Sequence, residues 1–180
     1  MANPEHIIQP ENYPHKTTLG EYVREVCSDA TGNESYLVSR NRILEGPLFA
    51  LTESLQDLPP FIQPDLRGRV SLWLGPQGTQ TPLHHDTTNV LFCQIYGRKR
   101  ITLISNRQPA LLEAPIDYSF YSRAAAAAQT MYQVDIEPGQ ALFIPVGWWH
   151  AVESLSTSVS IGFTGFCWPN RFDWYRPGDW

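Results

Sequence analysis

The chain has 180 residues, 42% of them hydrophobic and 17% charged, with a net charge of −5 at neutral pH. That composition belongs to one globular domain able to bury its own core, and it excludes a disordered chain. The acidic balance argues against non-specific nucleic-acid binding, which needs a basic face, and no apolar run approaches the ~20 residues of a membrane span.

Three cysteines, Cys27, Cys93 and Cys167, are odd in number and widely spaced. They read as free thiols in a reducing cytoplasm rather than as a disulfide framework or a metal knuckle. The N-terminal "MANPEHIIQPENYPHK" is polar and broken by prolines. It lacks the basic and apolar regions of a signal peptide, so the expected compartment is the cytoplasm and Asn33-Glu34-Ser35 is a chance glycosylation match.

In chain order, residues 1–16 read as a loose arm and residues 17–180 as a single domain. Leu19, Tyr22, Val23 and Val26 recur at helical spacing. "GPLFALTESLQDLPP" predicts a second, short helix, with Pro47 in its first turn, a stripe of Leu48, Leu51 and Leu55, and Pro59-Pro60 as its stop. The period then changes to two. In "RVSLWLG", Val70, Leu72 and Leu74 face one way and Ser71 and Trp73 the other. Strand-like runs follow: "VLFCQIY", "RITLIS", "YQVDI", "ALFIPV" and "SVSIGFTGF", separated by turn residues such as "YGR" and "EPGQ". A helical lead-in followed by many short antiparallel strands predicts a mainly β fold, a sandwich or jelly roll. Ala124–Ala128 predicts a short helix in an insertion between strands. The aromatic tail "CWPNRFDWYRPGDW" either packs back on the barrel or forms a homodimer contact, since Trp, Tyr and Arg favour interfaces.

The informative stretch is "TPLHHDTTNVLFCQIYGRKRITLIS". On a strand, His84 and Asp86 share a face and His85 points away. A third ligand is available in His150, which follows an apolar strand in "PGQALFIPVGWWHAVES". Two imidazoles and a carboxylate compose the facial triad of non-haem Fe(II) oxygenases, which leaves positions open for a co-substrate and O₂. His-x-Asp is common by chance, so spacing alone does not assign the metal, and His6 and His15 carry no role. Arg98, Lys99 and Arg100 follow a turn at Gly97. Two of these suit an exposed strand start. A third facing inward would need an anion, and the distal carboxylate of 2-oxoglutarate is one.

Together, "WLGPQGTQTPLHHD", "GRKRITL" and "PGQALFIPVGWWHAVES" resemble the JmjC, cupin-like family of Fe(II)- and 2-oxoglutarate-dependent oxygenases, its hydroxylases in particular. The similarity runs from about Tyr36 to Phe166. It implies a double-stranded β-helix (a cupin jelly roll) with N-terminal helices. It implies His84, Asp86 and His150 as iron ligands, and Lys99 as the partner of the far carboxylate of 2-oxoglutarate. Thr81 would add a hydroxyl to that carboxylate. Tyr36 would add a second, or is simply an aromatic strand residue. Trp73 would line the substrate side or belong to the core.

The chain departs from the family pattern in three places. Relatives carry Asn six residues after the first histidine, where this chain has Val90, with Asn89 beside it. A polar position of the last strand is Gly162 here, with Ser160 the nearest hydroxyl. Only about 35 residues precede Tyr36: the chain is naturally minimal, or its first part is missing, or a partner covers the barrel.

The implied activity uses Fe(II), 2-oxoglutarate and O₂. It hydroxylates an amino-acid side chain in a protein, peptide or small metabolite, and releases succinate and CO₂. Demethylation begins with the same hydroxylation. The segments around 45–64 and 103–133 are expected to choose the substrate, and histone work is not expected without a basic patch. The rival reading is a degenerate or non-oxygenase cupin that serves as a metal- or ligand-binding module.

Overall fold

The computed structural model describes residues 18–28, 30–33, 35–36, 44, 48–107 and 130–172. The expected arm, the Ala124–Ala128 helix and the end of the tail lie outside the described residues.

Helix α1 (Leu19–Val26) begins at a capping box. Thr18 Oγ1 accepts from Glu21 N–H at 3.2 Å and the Glu21 carboxylate accepts from Thr18 N–H at 2.9 Å, which satisfies two of the end groups a helix leaves open. Val26 is fully buried, and the Tyr22 hydroxyl reaches the Leu74 carbonyl at 2.6 Å, tying the helix to the first strand. The second predicted helix is a 3-10 turn, Phe49–Ser54. Within it the Thr52 hydroxyl donates to the Phe49 carbonyl at 2.7 Å, the kind of local side-chain bond that competes with regular helix. Leu48 and Leu55 pack inward, but Leu51 is exposed, so the expected leucine stripe is incomplete.

Eight strands follow among the described residues: β1 (Val70–Gly75), β2 (Gln80–His84), β3 (Val90–Tyr96), β4 (Lys99–Ile104), β5 (Tyr132–Ile136), β6 (Ala141–Ile144), β7 (Trp149–Ser154) and β8 (Ser158–Phe163). They form two antiparallel sheets, ordered β1-β8-β3-β6 and β2-β7-β4-β5. This is the expected jelly roll. No helix among the described residues is long and apolar enough to cross a membrane.

The sheets meet over an inner core of Val90, Phe92 and Ile144 from the first and Ile101, Ile136 and Val152 from the second. Val70, Leu72 and Phe163 face the opposite way, against Leu44, Ile62 and Phe166. The alternation of β1 is therefore as expected, and it turns Trp73 toward the barrel interior, where its ring meets Phe92 at 5.4 Å. The described part of the tail packs back on the barrel. Phe172 N–H donates to the Thr87 carbonyl at 2.9 Å, and Trp168 stacks on Phe166 at 4.8 Å.

Gly97 makes the predicted tight turn before β4. It has φ +67, and a Cβ there would run into the Thr157 carbonyl oxygen. Gly97→Ala is expected to cost about 2–5 kcal/mol, from left-handed backbone strain plus the collision. Urea denaturation measures it, and a loss below the cost of backbone strain alone would show that the Ser156–Thr157 turn yields freely.

Candidate metal centre

β2 and β7 run side by side and bring His84 opposite His150. The two rings lie 4.2 Å apart between centroids. His150 Nε2 is 3.7 Å from Asp86 Oδ2, and one ligand atom from each of His84, Asp86 and His150 falls within 4.8 Å of the others. Two details of this placement differ from the sequence reading. His150 lies inside β7 rather than after a strand. Pro145 lies just past the end of β6, and Gly147 at φ +74 turns the chain back into β7 before Trp149. Asp86 lies beyond the end of β2, so strand alternation does not place it. Instead Gly147 N–H donates to the Asp86 carbonyl at 3.1 Å and Val146 N–H to Asn89 Oδ1 at 2.9 Å, which dock the loop after β2 against the turn before β7.

The chemistry of the donors fits a metal. His84 Nδ1 lies 2.9 Å from the Pro82 carbonyl and His150 Nδ1 lies 3.0 Å from the Trp148 carbonyl. A carbonyl only accepts, so each Nδ1 is the donor and each Nε2 is the atom turned to the cluster, the arrangement that orients metal-bound histidines. Burial, reinforced by His150, lowers the His84 pKa to about 4 against the pull of Asp86, so this ring is neutral at pH 7. Ligands about 2.1 Å from a common ion at right angles stand about 3 Å apart; the three groups, within 4.8 Å of one another, are wider than that spacing and would draw in around an ion. His85 turns away, as expected, and is buried with its ring edge-on to Trp149 at 4.9 Å.

Lys99 answers which of the basic triplet faces inward. Its side chain is 1% exposed, whereas Arg98 is exposed and Arg100 pairs with Asp135 at 2.7 Å on the outer face. The Lys99 ammonium lies over the rings of Phe92 at 5.6 Å and Tyr36 at 5.7 Å. Among the described residues it has no carboxylate partner. Burial alone pushes it down to about 7. Cross-strand register orders the inner face in three rows: His84, His150 and Leu103; then Thr81, Val152, Ile101 and Val134; then Ser154, Lys99 and Ile136. Rows two residues apart repeat every ~7 Å, so the His84–His150 row and the lysine row are about 13 Å apart along the backbone, with Thr81 in the row between. The same sheet's outer face carries a groove of about 260 Å³ that includes Gln80, Arg100, Thr102 and Gln133, that Thr81 and Val152 also line, and that none of His84, Asp86 and His150 reaches.

The family model for the cupin-like domain matches residues 8–167. The chain belongs to this JmjC cupin-like family. It is 33% identical over 152 residues to Jumonji C domain-containing protein 5 of Drosophila melanogaster, covering 76% of this chain and 38% of that one. It is 36% identical over 108 residues to Lysine-specific demethylase 8 of Xenopus tropicalis, covering 52% and 24%. The cupin-like chain thus spans well under half the length of these relatives. Among solved structures, Escherichia coli ycfD superposes with a TM-score of 0.50 at 22% identity, covering 75% of this chain and 34% of that one, a likeness of fold.

Two of the departures noted in the sequence have a structural account. Asn89 does not take over from Val90. Its side chain accepts from Val146 N–H and donates to Asn170 Oδ1 at 2.6 Å, while Val90 faces the inner core. Ser160 does not replace the hydroxyl absent at Gly162, because it donates to Gln94 Oε1 at 2.7 Å within the barrel. Sequence reasoning missed Phe92 as a neighbour of Lys99. An aromatic inside an apolar strand run carries no signal beyond core packing.

Proposed function

We propose that this domain is a non-haem Fe(II)- and 2-oxoglutarate-dependent oxygenase that hydroxylates an amino-acid side chain of a protein, peptide or amino-acid-like metabolite. The observation that carries this reading is Lys99, a buried cation with no anion beside it among the described residues, on the same inner face as His84 and His150, which Asp86 adjoins. A generic metal-binding cupin has no use for such a cation, which is costly to bury unpaired.

His84, Asp86 and His150 would hold the iron through two Nε2 atoms and a carboxylate oxygen. Lys99 would hold the distal carboxylate of 2-oxoglutarate, with Thr81 on the row between and the Tyr36 ring against the ammonium. When bound, iron and 2-oxoglutarate supply the oxidising power: one oxygen atom of O₂ enters the C–H bond and the other enters succinate as CO₂ leaves. Val90, Phe92 and Trp73 keep the opposing wall dry, which strengthens every charge interaction inside. Asp86 keeps 35% of its side chain exposed, so substrate would approach from its side.

The frog relative is named for lysine demethylation. Hydroxylation of an N-methyl carbon is the same oxygen insertion, and the site as built serves either. A second reading, a binding module without turnover, draws on Val90 and Gly162, which remove two polar groups from the wall. Turnover separates the two. Fe(II)-loaded protein should convert 2-oxoglutarate to succinate, at a slow uncoupled rate without substrate, and His84→Ala should remove the activity. Loaded, folded protein that forms no succinate with any peptide or amino acid offered would favour the binding module.

A further inference from the structure

Gly162 and Val90 lie against one tryptophan. A Cβ built on Gly162 would stand 2.5 Å from Cη2 and Cζ3 of Trp73 and 3.4 Å from Cγ1 of Val90. The indole occupies the space that any side chain at 162 would need. Trp73 then meets Phe92 at 5.4 Å, and Phe92 lies 5.6 Å from Lys99 Nζ. Gly162, Trp73, Phe92 and Lys99 thus form one continuous line of packing from the last strand to the buried cation. Phe92 is 5% exposed, so the line is closed to solvent at the lysine.

We infer that Trp73, seated on Gly162, is a positioning residue: through Phe92 it fixes and dehydrates the Lys99 ammonium, so that a single cation against an apolar wall suffices to hold the distal carboxylate of 2-oxoglutarate. The inference rests on the oxygenase reading above. Two effects drive it. A free lysine loses up to about 2 kcal/mol of rotamer entropy when it is immobilised, and packing against Phe92 removes part of that loss before the ligand arrives. A cation stripped of water also attracts a carboxylate more strongly than a hydrated one. The groups turned toward Lys99 are Tyr36, Phe92 and, directly opposite on β7, Ser154. Farther along the inner side of that sheet lie His150 and His84, with Asp86 beside them from the loop after β2. Lys99 sits near pKa 7 through burial alone, so its hydration can be read as a pH profile.

The test measures 2-oxoglutarate affinity calorimetrically on Mn(II)-loaded protein at about pH 6.5 and about pH 8.5. In wild type the affinity should fall with pH, by up to about tenfold per unit above pH 7, because a proton must be taken up with the ligand. Trp73→Ala and Gly162→Ala, which removes or displaces the indole, should weaken binding about tenfold or more and flatten the pH profile, since a hydrated lysine stays charged. Trp73→Phe should restore both to within about threefold, because it keeps a ring against Phe92. Mn(II) affinity without 2-oxoglutarate should be the same in all four proteins. A merely structural tryptophan would not move the pH profile. Should Trp73→Ala fail to fold, Gly162→Ala carries the test with the indole retained. Folded variants with wild-type affinity and wild-type pH profile would overturn the inference. Wild type that binds Mn(II) but not 2-oxoglutarate would remove the oxygenase reading, and the inference with it.

Discussion

Lys99→Met should make the protein more stable and unable to hold 2-oxoglutarate. The stability gain follows from burial. The Lys99 ammonium is 1% exposed, near two rings, and burial brings its pKa down from 10.5 to about 7. Between those values the unfolded chain binds a proton that the folded chain does not, so stability rises with pH across that window. The cost of the buried cation is therefore full below pH 7 and gone above about pH 10.5. Methionine fills similar volume without the charge, and replacing buried ions with apolar groups commonly stabilises by about 1–4 kcal/mol. Urea denaturation at about pH 6 should show a gain of that order, shrinking as the pH is raised toward 10. The same variant should lose 2-oxoglutarate binding by about 100-fold or more, since removing one member of a desolvated charge pair costs about 2–5 kcal/mol. A variant that is less stable at pH 6 would mean that the ammonium is solvated or paired in solution.

His150→Ala should abolish the stabilisation that a divalent ion gives. A ligand that binds only the folded state adds about 2.7 kcal/mol when present at 100 times its dissociation constant, so wild type should melt several degrees higher with Mn(II) or anaerobic Fe(II). His150 is 5% exposed and is one of two imidazoles in the cluster. Without it, one histidine and one carboxylate remain, too few for a facial site. His85→Ala is the informative control. That ring is buried against Trp149 and turned from the cluster, so its loss should lower the baseline melting temperature and leave the metal-induced rise intact. An equal metal response in His150→Ala and wild type would place the ion elsewhere.

The strands were legible because alternation is written in single residues. Val70 and Leu72 face out toward Ile62 and Phe166 while Trp73 faces in, as the period of two requires. His84 was legible on a strand and His150 as a histidine just past an apolar run, but β7, the strand that carries His150, was not read, because Gly147 turns the chain back only two residues before it begins. Asp86 was named for a reason the fold does not use. Its position depends on Gly147 N–H and the Asn89–Val146 bond, contacts between loops some 60 residues apart that no local pattern records. The 3-10 turn at Phe49–Ser54 was missed as such because the Thr52 hydroxyl bond to Phe49 is a three-residue effect, whereas the leucine spacing suggests a longer helix. Lys99 was singled out from three basic neighbours by resemblance. The structure supplies the physical reason: it pairs with Ser154 and Ile136 on the inner side, while Arg100 pairs with Glu153 and Asp135 on the outer.

The most direct measurement adds Fe(II) and 2-oxoglutarate to the protein without oxygen and records the visible charge-transfer band of the chelate. Wild type should show it, His84→Ala should not, and Lys99→Met should need far more 2-oxoglutarate to reach it. Folded wild-type protein that gives no band at saturating iron and 2-oxoglutarate would contradict the oxygenase account.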